Sequence, residues 1–64
     1  MKSVKISSIP DVASYVLDRC HMNGMYTVQD IRDNGGEVAL QVIGISDEDI
    51  QVFTSLLQEQ DLAL

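Results

Sequence analysis

Cys20 and His21 are the residue types in this chain best suited to covalent or metal chemistry. They are adjacent, and adjacent side chains on a helix point about 100° apart, so they cannot act as a nucleophile and its base. One cysteine and one histidine supply at most two zinc ligands, whereas a zinc site needs three or four. We therefore predict a buried structural thiol for Cys20 and an exposed His21 near a helix C-terminus. The sequence predicts no enzymatic activity, no cofactor and no metal.

Residues 30–41, DIRDNGGEVALQ, partly match a calcium-binding loop, with Asp30 at its first position. Arg32 stands at the third ligand position, and Gln41 stands at the twelfth, where a bidentate glutamate is needed. The segment is therefore predicted to be a helix end followed by a turn.

Residues 42–53, VIGISDEDIQVF, have the outline of a turn between two helices that in many proteins holds a nucleic-acid phosphate. The phosphate-binding pattern is hydrophobic-x-Gly-hydrophobic-Gly, and its second glycine lets backbone N–H groups approach the anion. Ser46 replaces that glycine, and Asp47, Glu48 and Asp49 follow. The second half of the chain has no Lys or Arg, so carboxylates would surround the phosphate and repel it. We predict a structural or protein-facing turn.

Short helices are predicted to position these residues. Ser8, followed by Pro10 and Asp11, is typical of a helix start, and apolar residues at helical spacing extend this helix to residue 22. Asn23-Gly24 and Asn34-Gly35-Gly36 supply residues that tolerate the left-handed conformation at a helix end. The predicted helices are residues 9–22, 28–33, 37–43 and 47–60.

Two further polar residues indicate helix starts. Thr27 is followed by an acid three residues later, and Ser46 precedes three carboxylates that the helix dipole favours. The alternative is a β-hairpin across residues 26–45, because Val38, Leu40 and Val42 alternate as a strand would. The first arm of that hairpin does not alternate, so an all-α fold is the prediction and α+β the alternative.

Sixty-four residues allow a single domain, residues 1–64. A chain of this size buries only about 60% of its unfolded surface, so its core is marginal. Residues 8–62 are predicted to form the helical core, with residues 1–7 as an extended tail or short strand. The single cysteine excludes an internal disulfide, and no apolar run is long enough to cross a membrane. The N-terminus does not resemble a signal peptide, so a cytoplasmic location is expected.

The formal net charge is −6, with 10 acidic residues against 4 basic ones. Nonspecific binding to nucleic acid relies on Lys and Arg that release counterions, so this charge opposes it. A protein partner with a basic surface is favoured instead.

The order of features in residues 24–57, GMYTVQDIRDNGGEVALQVIGISDEDIQVFTSLL, resembles a helix-hairpin-helix module. It is similar to the C-terminal domain of the bacterial RNA polymerase α subunit and to the acidic repeats of the transcription factor NusA. This resemblance implies a four-helix, SAM-like orthogonal bundle over residues 9–62. The polymerase domain contacts DNA, but the missing glycine and missing basic residues prevent that role from being carried over. The NusA repeats, which are acidic and engage proteins, are the closer analogy.

The predicted function is a small, acidic, non-enzymatic protein–protein interaction module or regulator, and the resemblance implies an association with transcription. An acidic surface would steer a basic partner, and a local apolar patch would supply affinity. The predicted partner-binding residues are Ile45, Asp47, Glu48 and Asp49, with Met25 and Tyr26 as a second patch.

Two alternatives remain open. A nucleic-acid-binding helix-hairpin-helix module would have to use Lys2, Lys5, Arg19 and Arg32 as its cations. A homodimer or other homo-oligomeric structural subunit would instead bury apolar residues at the C-terminal end, such as Leu56, Leu62 and Leu64.

Overall fold

The computed structural model describes residues 4–64. It contains four α-helices: α1, Ser14–Met22; α2, Val28–Asp33; α3, Glu37–Val42; and α4, Asp47–Glu59. A single 3-10 turn, Ile6–Ser8, precedes them. Strand pairing among the described residues is limited to one antiparallel bridge between Lys5 and Thr27. The all-α prediction is confirmed, and the β-hairpin alternative for residues 26–45 is wrong because α2 and α3 occupy that range.

The helices α2 and α4 begin at the residues predicted to cap them. The Thr27 hydroxyl accepts a hydrogen bond from the Asp30 backbone N–H at 3.0 Å, and the Asp30 carboxylate accepts one from the Thr27 N–H at 3.0 Å. This reciprocal pair satisfies two N–H groups that a helix start would otherwise leave without partners. At α4, the Ser46 hydroxyl accepts from the Asp49 N–H at 3.3 Å.

The predicted start of the first helix at residues 8–9 is wrong. Helix α1 begins at Ser14, and its N-cap residue, Ala13, makes no side-chain cap. Two local features explain the delay. Pro10 disfavours helical geometry in the residue before it, and Asp11 adopts a left-handed φ of 68° that a right-handed helix cannot include. Ser8 instead closes the 3-10 turn, where its hydroxyl donates to a backbone carbonyl.

The N-terminal segment pairs with the connection between α1 and α2. The Ile6 N–H donates to the Tyr26 carbonyl at 3.0 Å, and the Val28 N–H donates to the Val4 carbonyl at 2.9 Å. The Ile6 side chain is fully buried. Ile6 of the predicted tail therefore belongs to the core, while residues 1–3 lie outside the described residues.

The core draws side chains from the N-terminal segment, from all four helices and from the turns between them. Helix α4 contributes one face, Ile50, Phe53 and Leu57, and the half-buried Leu56 packs against it. The buried hydrophobic residues are Ile6, Ile9, Val16, Cys20, Met25, Val28, Ile31, Ala39, Leu40, Ile45, Ile50, Phe53 and Leu57. Within residues 4–64, no buried side-chain nitrogen or oxygen lacks a hydrogen-bond partner.

Candidate functional site: the α3–α4 turn and its neighbouring groove

The turn that joins α3 to α4 is built around Gly44. Gly44 has a left-handed φ of 92°, which a residue with a Cβ adopts only with strain. Its N–H donates to the Gln41 carbonyl at 3.1 Å, and the Ile45 N–H donates to the Leu40 carbonyl at 3.0 Å. These two bonds form a Schellman motif, which ends α3 and satisfies carbonyls that the helix leaves without partners. The motif also directs Ile45 into the core.

Arg19 of α1 covers this turn. Its guanidinium Nη1 donates to the Ile43 carbonyl at 3.2 Å, and a Cβ added at Gly44 would lie 2.9 Å from the same nitrogen. A cation at the C-terminal end of a helix interacts favourably with the helix dipole and with the last carbonyls. The absent Cβ of Gly44 thus serves two purposes: it permits the left-handed backbone, and it leaves space for the guanidinium.

Asp49 has a structural role in this turn. Its carboxylate accepts hydrogen bonds from the Tyr15 hydroxyl and from the Ser46 hydroxyl, the latter at 2.7 Å. The bond from Tyr15, followed by the bond from Ser46, holds the pKa of the Asp49 carboxyl below its ordinary value. The same bond to Asp49 raises the pKa of the Tyr15 phenol. Asp49 therefore ties α4 to α1.

Asp47 and Glu48 are placed differently from Asp49. Both side chains are exposed in the first turn of α4, and neither makes a hydrogen bond to the described part of the chain. Their charges are favourable there because the helix dipole is positive at its N-terminus. Of the predicted acidic residues, these two are the ones that offer carboxylates to solvent.

The predicted apolar partner-binding residues are divided between the core and the surface. Met25 and Ile45 are 2% and 4% exposed, so these side chains lie in the core and offer almost no contact surface. Tyr26 is exposed and stacks on His21, with 5.1 Å between ring centroids. The Tyr26 and Thr27 N–H groups donate to the Asp30 carboxylate and hold its pKa below its ordinary value.

A groove that the sequence analysis did not single out lies between the end of α1 and α3. It encloses about 220 Å³ and is lined by Asn23, Met25, Asn34, Val38, Ala39, Val42 and Ile43. Val38 and Val42 on its wall are 61% and 79% exposed, and Met22, the neighbour of Asn23, is 85% exposed. The sequence contains an indication of this surface. Ala39 and Leu40 form the buried face of α3, and the other apolar residues of this helix, Val38 and Val42, are not needed for that face.

The two arginines are engaged at different places in the fold. Arg19 donates to the α3–α4 turn, whereas the Arg32 Nε donates to the Ala63 carbonyl at 2.6 Å. Arg32 Nη1 also donates to the Gln29 side chain at 3.2 Å. Lys2, another of the four cations predicted for a nucleic-acid interface, lies outside the described residues. The two arginines are therefore positioned by separate contacts within the fold and not by a shared cationic surface.

Cys20 is fully buried, as predicted, and burial raises the pKa of its thiol. Across residues 4–64, no three His, Cys, Asp or Glu side chains are grouped closely enough to hold a metal ion. None of the helices found there is both long and apolar enough to cross a membrane.

Comparison of the chain with protein-family models, with curated proteins and with solved structures finds no match.

Proposed function

We propose that this protein is a non-enzymatic protein–protein interaction module that receives its partner in the groove between α1 and α3. The observation that carries the proposal is the exposure of Val38 and Val42 on the wall of a concave surface, with the exposed Met22 next in the chain to the groove-lining Asn23. Contiguous exposed apolar surface of this kind is typical of an interaction site, whereas scattered exposed apolar residues are not. Covering these side chains would remove apolar area from water and supply the affinity.

Asp47 and Glu48 supply the charge in this proposal. Asp47 is the fifth residue after Val42, and five residues of extended chain span at most about 18 Å. The two carboxylates therefore lie within reach of a partner segment seated in the groove. Complementary charge at that distance accelerates encounter and sets orientation more than it deepens binding.

The alternatives receive less support. A nucleic-acid interface would need cations grouped on one surface, and the two arginines, although exposed, donate to backbone carbonyls at different places in the fold. A homodimer would bring together two chains that each carry a charge of −6. The pattern resemblance to helix-hairpin-helix modules stays a prediction, and it is the basis for proposing a transcription-associated adaptor. The cytoplasmic location also stays a prediction.

The test is a selection of peptides from a random displayed library on immobilised wild-type protein. Each enriched peptide is then titrated into labelled protein and followed by amide NMR. We expect the shifted amides to cluster at Asn23, Asn34 and residues 38–43. The double variant Val38→Gln, Val42→Gln should bind the same peptides at least about tenfold more weakly, because uncharged polar side chains replace the apolar wall.

The matched control is Val52→Gln. Val52 is also a helical valine and is 53% exposed, but it does not line the groove. This variant should retain wild-type affinity. Peptides that bind elsewhere on the surface, or equal weakening by the two variants, would overturn the assignment of the groove, and failure to enrich any peptide would count against an interaction module.

A further inference from the structure

We infer that the partner segment is a short basic amphipathic helix, with its apolar face in the groove and its Lys or Arg residues directed to the carboxylates around it. This inference rests on the proposed function and adds the chemistry of the partner. It follows from the recognition modes that the surface permits, from the size of the groove and from the charges beside it.

Most modes of peptide recognition are unavailable on this surface. Addition of a strand needs an open sheet edge, and the described residues form no strand beyond a single bridge. Proline-rich segments need a groove lined by aromatic rings, and no aromatic residue lines this one. Phosphopeptides need an arginine cluster, whereas Arg19 and Arg32 are bound to carbonyls in different parts of the fold. Among the modes that recognise an internal peptide segment, a helix in a groove is the one that remains.

The dimensions of the groove agree with this mode. Its volume of about 220 Å³ is below the range of about 300–1,000 Å³ that is usual for small-molecule sites. The space therefore suits one or two inserted side chains. Val38 and Val42 are one turn apart on α3 and form a ridge of the i, i+4 type, against which a second helix packs. The partner should present apolar anchors spaced three or four residues apart.

Four carboxylates are close in sequence to residues that line the groove. Asp33 is adjacent to the groove-lining Asn34, and Glu37 is adjacent to Val38, so their Cα atoms are about 3.8 Å from those of lining residues. Asp47 and Glu48 follow within a few residues of the groove-lining Ile43. All four are exposed.

Positive charges near the groove are fewer. Arg19 contacts the Ile43 carbonyl, and Arg32 contacts the Ala63 carbonyl. A helix of about 12 residues is about 18 Å long, so it spans the distance from the groove to the start of α4. Lys or Arg residues along that helix would meet carboxylates at both ends.

A second copy of this chain fits the surface less well. A stable interface covers about 800 Å² on each partner. That is about a fifth of the 4179 Å² of accessible surface, and a groove whose wall carries two exposed valines supplies less than this. Two copies would also place carboxylates against carboxylates, which costs free energy.

Three matched peptides of about 12 residues test the inference. They share leucines at helical spacing, and the remaining positions carry lysine, glutamine or glutamate. Each is titrated into labelled wild-type protein, the Val38→Gln, Val42→Gln variant and the Val52→Gln control, and followed by amide NMR. The lysine peptide is expected to shift groove amides and to bind about tenfold more tightly than the glutamine peptide at low salt. The difference should shrink at about 1 M salt, where the Debye length is about 3 Å.

The outcomes separate this inference from the proposed function. If the glutamine or glutamate peptide binds the groove as tightly as the lysine peptide, the groove is an interaction site but the inference of a basic partner is wrong. If the lysine peptide binds the double variant as tightly as the wild type, it is held by the acidic surface alone and the inference is overturned. If none of the three peptides shifts groove amides, the helical partner is wrong, and the displayed-library selection still decides whether the groove binds peptides of another kind.

Discussion

The turn after α1 and the turn after α3 have the same backbone and different surroundings. At each, a glycine with left-handed φ donates to a carbonyl three residues earlier, and the next residue donates to a carbonyl five residues earlier: Met25 to Cys20 at 2.8 Å, and Ile45 to Leu40 at 3.0 Å. A Cβ added at Gly24 would meet no described atom within 4 Å, whereas one at Gly44 would meet Arg19. The glycine of the α1–α2 turn thus has open space beside it, whereas the glycine of the α3–α4 turn lies against a side chain from another helix.

The largest expected difference in the free energy of unfolding is between the variants Gly24→Ala and Gly44→Ala. Each substitution places a Cβ in the left-handed region, which costs about 1 kcal/mol or more. Gly44→Ala must in addition displace the Arg19 guanidinium, and the loss of its hydrogen bond adds about 1 kcal/mol. Urea unfolding monitored by circular dichroism should therefore give the lower midpoint for Gly44→Ala. Equal midpoints would mean that Arg19 moves aside without cost and that the two turns are energetically alike.

Replacing Arg19 should remove most of the difference in unfolding free energy between Gly44→Ala and Gly24→Ala. Arg19→Met keeps the apolar part of the side chain and deletes the guanidinium, so we expect a loss of about 0.5–1 kcal/mol in the free energy of unfolding. In the Arg19→Met background, Gly44→Ala should cost about as much as Gly24→Ala does in the wild type. The double-mutant cycle measures the coupling directly. A coupling energy of zero would contradict the assignment of the contact.

The smallest expected effect concerns the second link from this turn to α1, the hydrogen bond from Tyr15 to Asp49. Because this bond lowers the pKa of the folded Asp49 carboxyl from 3.8, its stabilisation is present above the unfolded pKa and is lost as pH falls through the folded pKa. Because it raises the pKa of the folded Tyr15 from 10.0, its stabilisation is also lost as pH rises through that raised value.

Tyr15→Phe is therefore expected to lower the urea midpoint near neutral pH and to change it less below pH 4. Carboxyl NMR titration should show the Asp49 pKa moving up towards its ordinary value in this variant. Asp30 is the internal control, because backbone N–H groups of the other turn set its lowered pKa. A lowered Asp49 pKa that persists in Tyr15→Phe would assign the shift to Ser46 instead.

Local signals predicted those parts of the fold that local interactions determine. Thr27 and Ser46 begin helices because their hydroxyls bond to N–H groups only three residues away. Ser8 carries a similar signal, but it lies before Pro10 and a left-handed Asp11 and in a segment that pairs with the α1–α2 connection. A sequence window does not contain that pairing partner, so the start of α1 was misplaced.

The candidate site was less predictable for a related reason. Met25 and Ile45 were predicted to face a partner, yet each follows the glycine of a Schellman motif, where a hydrophobic side chain packs back onto its helix. Val38 and Val42 lie on a helix of six residues, which is too short for periodicity to separate a buried face from an exposed one. The acidic residues Asp47 and Glu48 were correctly placed in the first turn of α4 because their positions follow from the cap.

The contact of Arg19 with Gly44 has a consequence for how sequences related to this one are expected to diverge. A larger residue at position 44 is compatible with the fold once the side chain at position 19 is shorter, so the two positions should vary together across evolution. Position 24, which has the same backbone and open space beside it, should vary independently of α1. A pair of positions separated by two entire helices and the turns before them would then be a more durable mark of common ancestry than the local sequence of either turn.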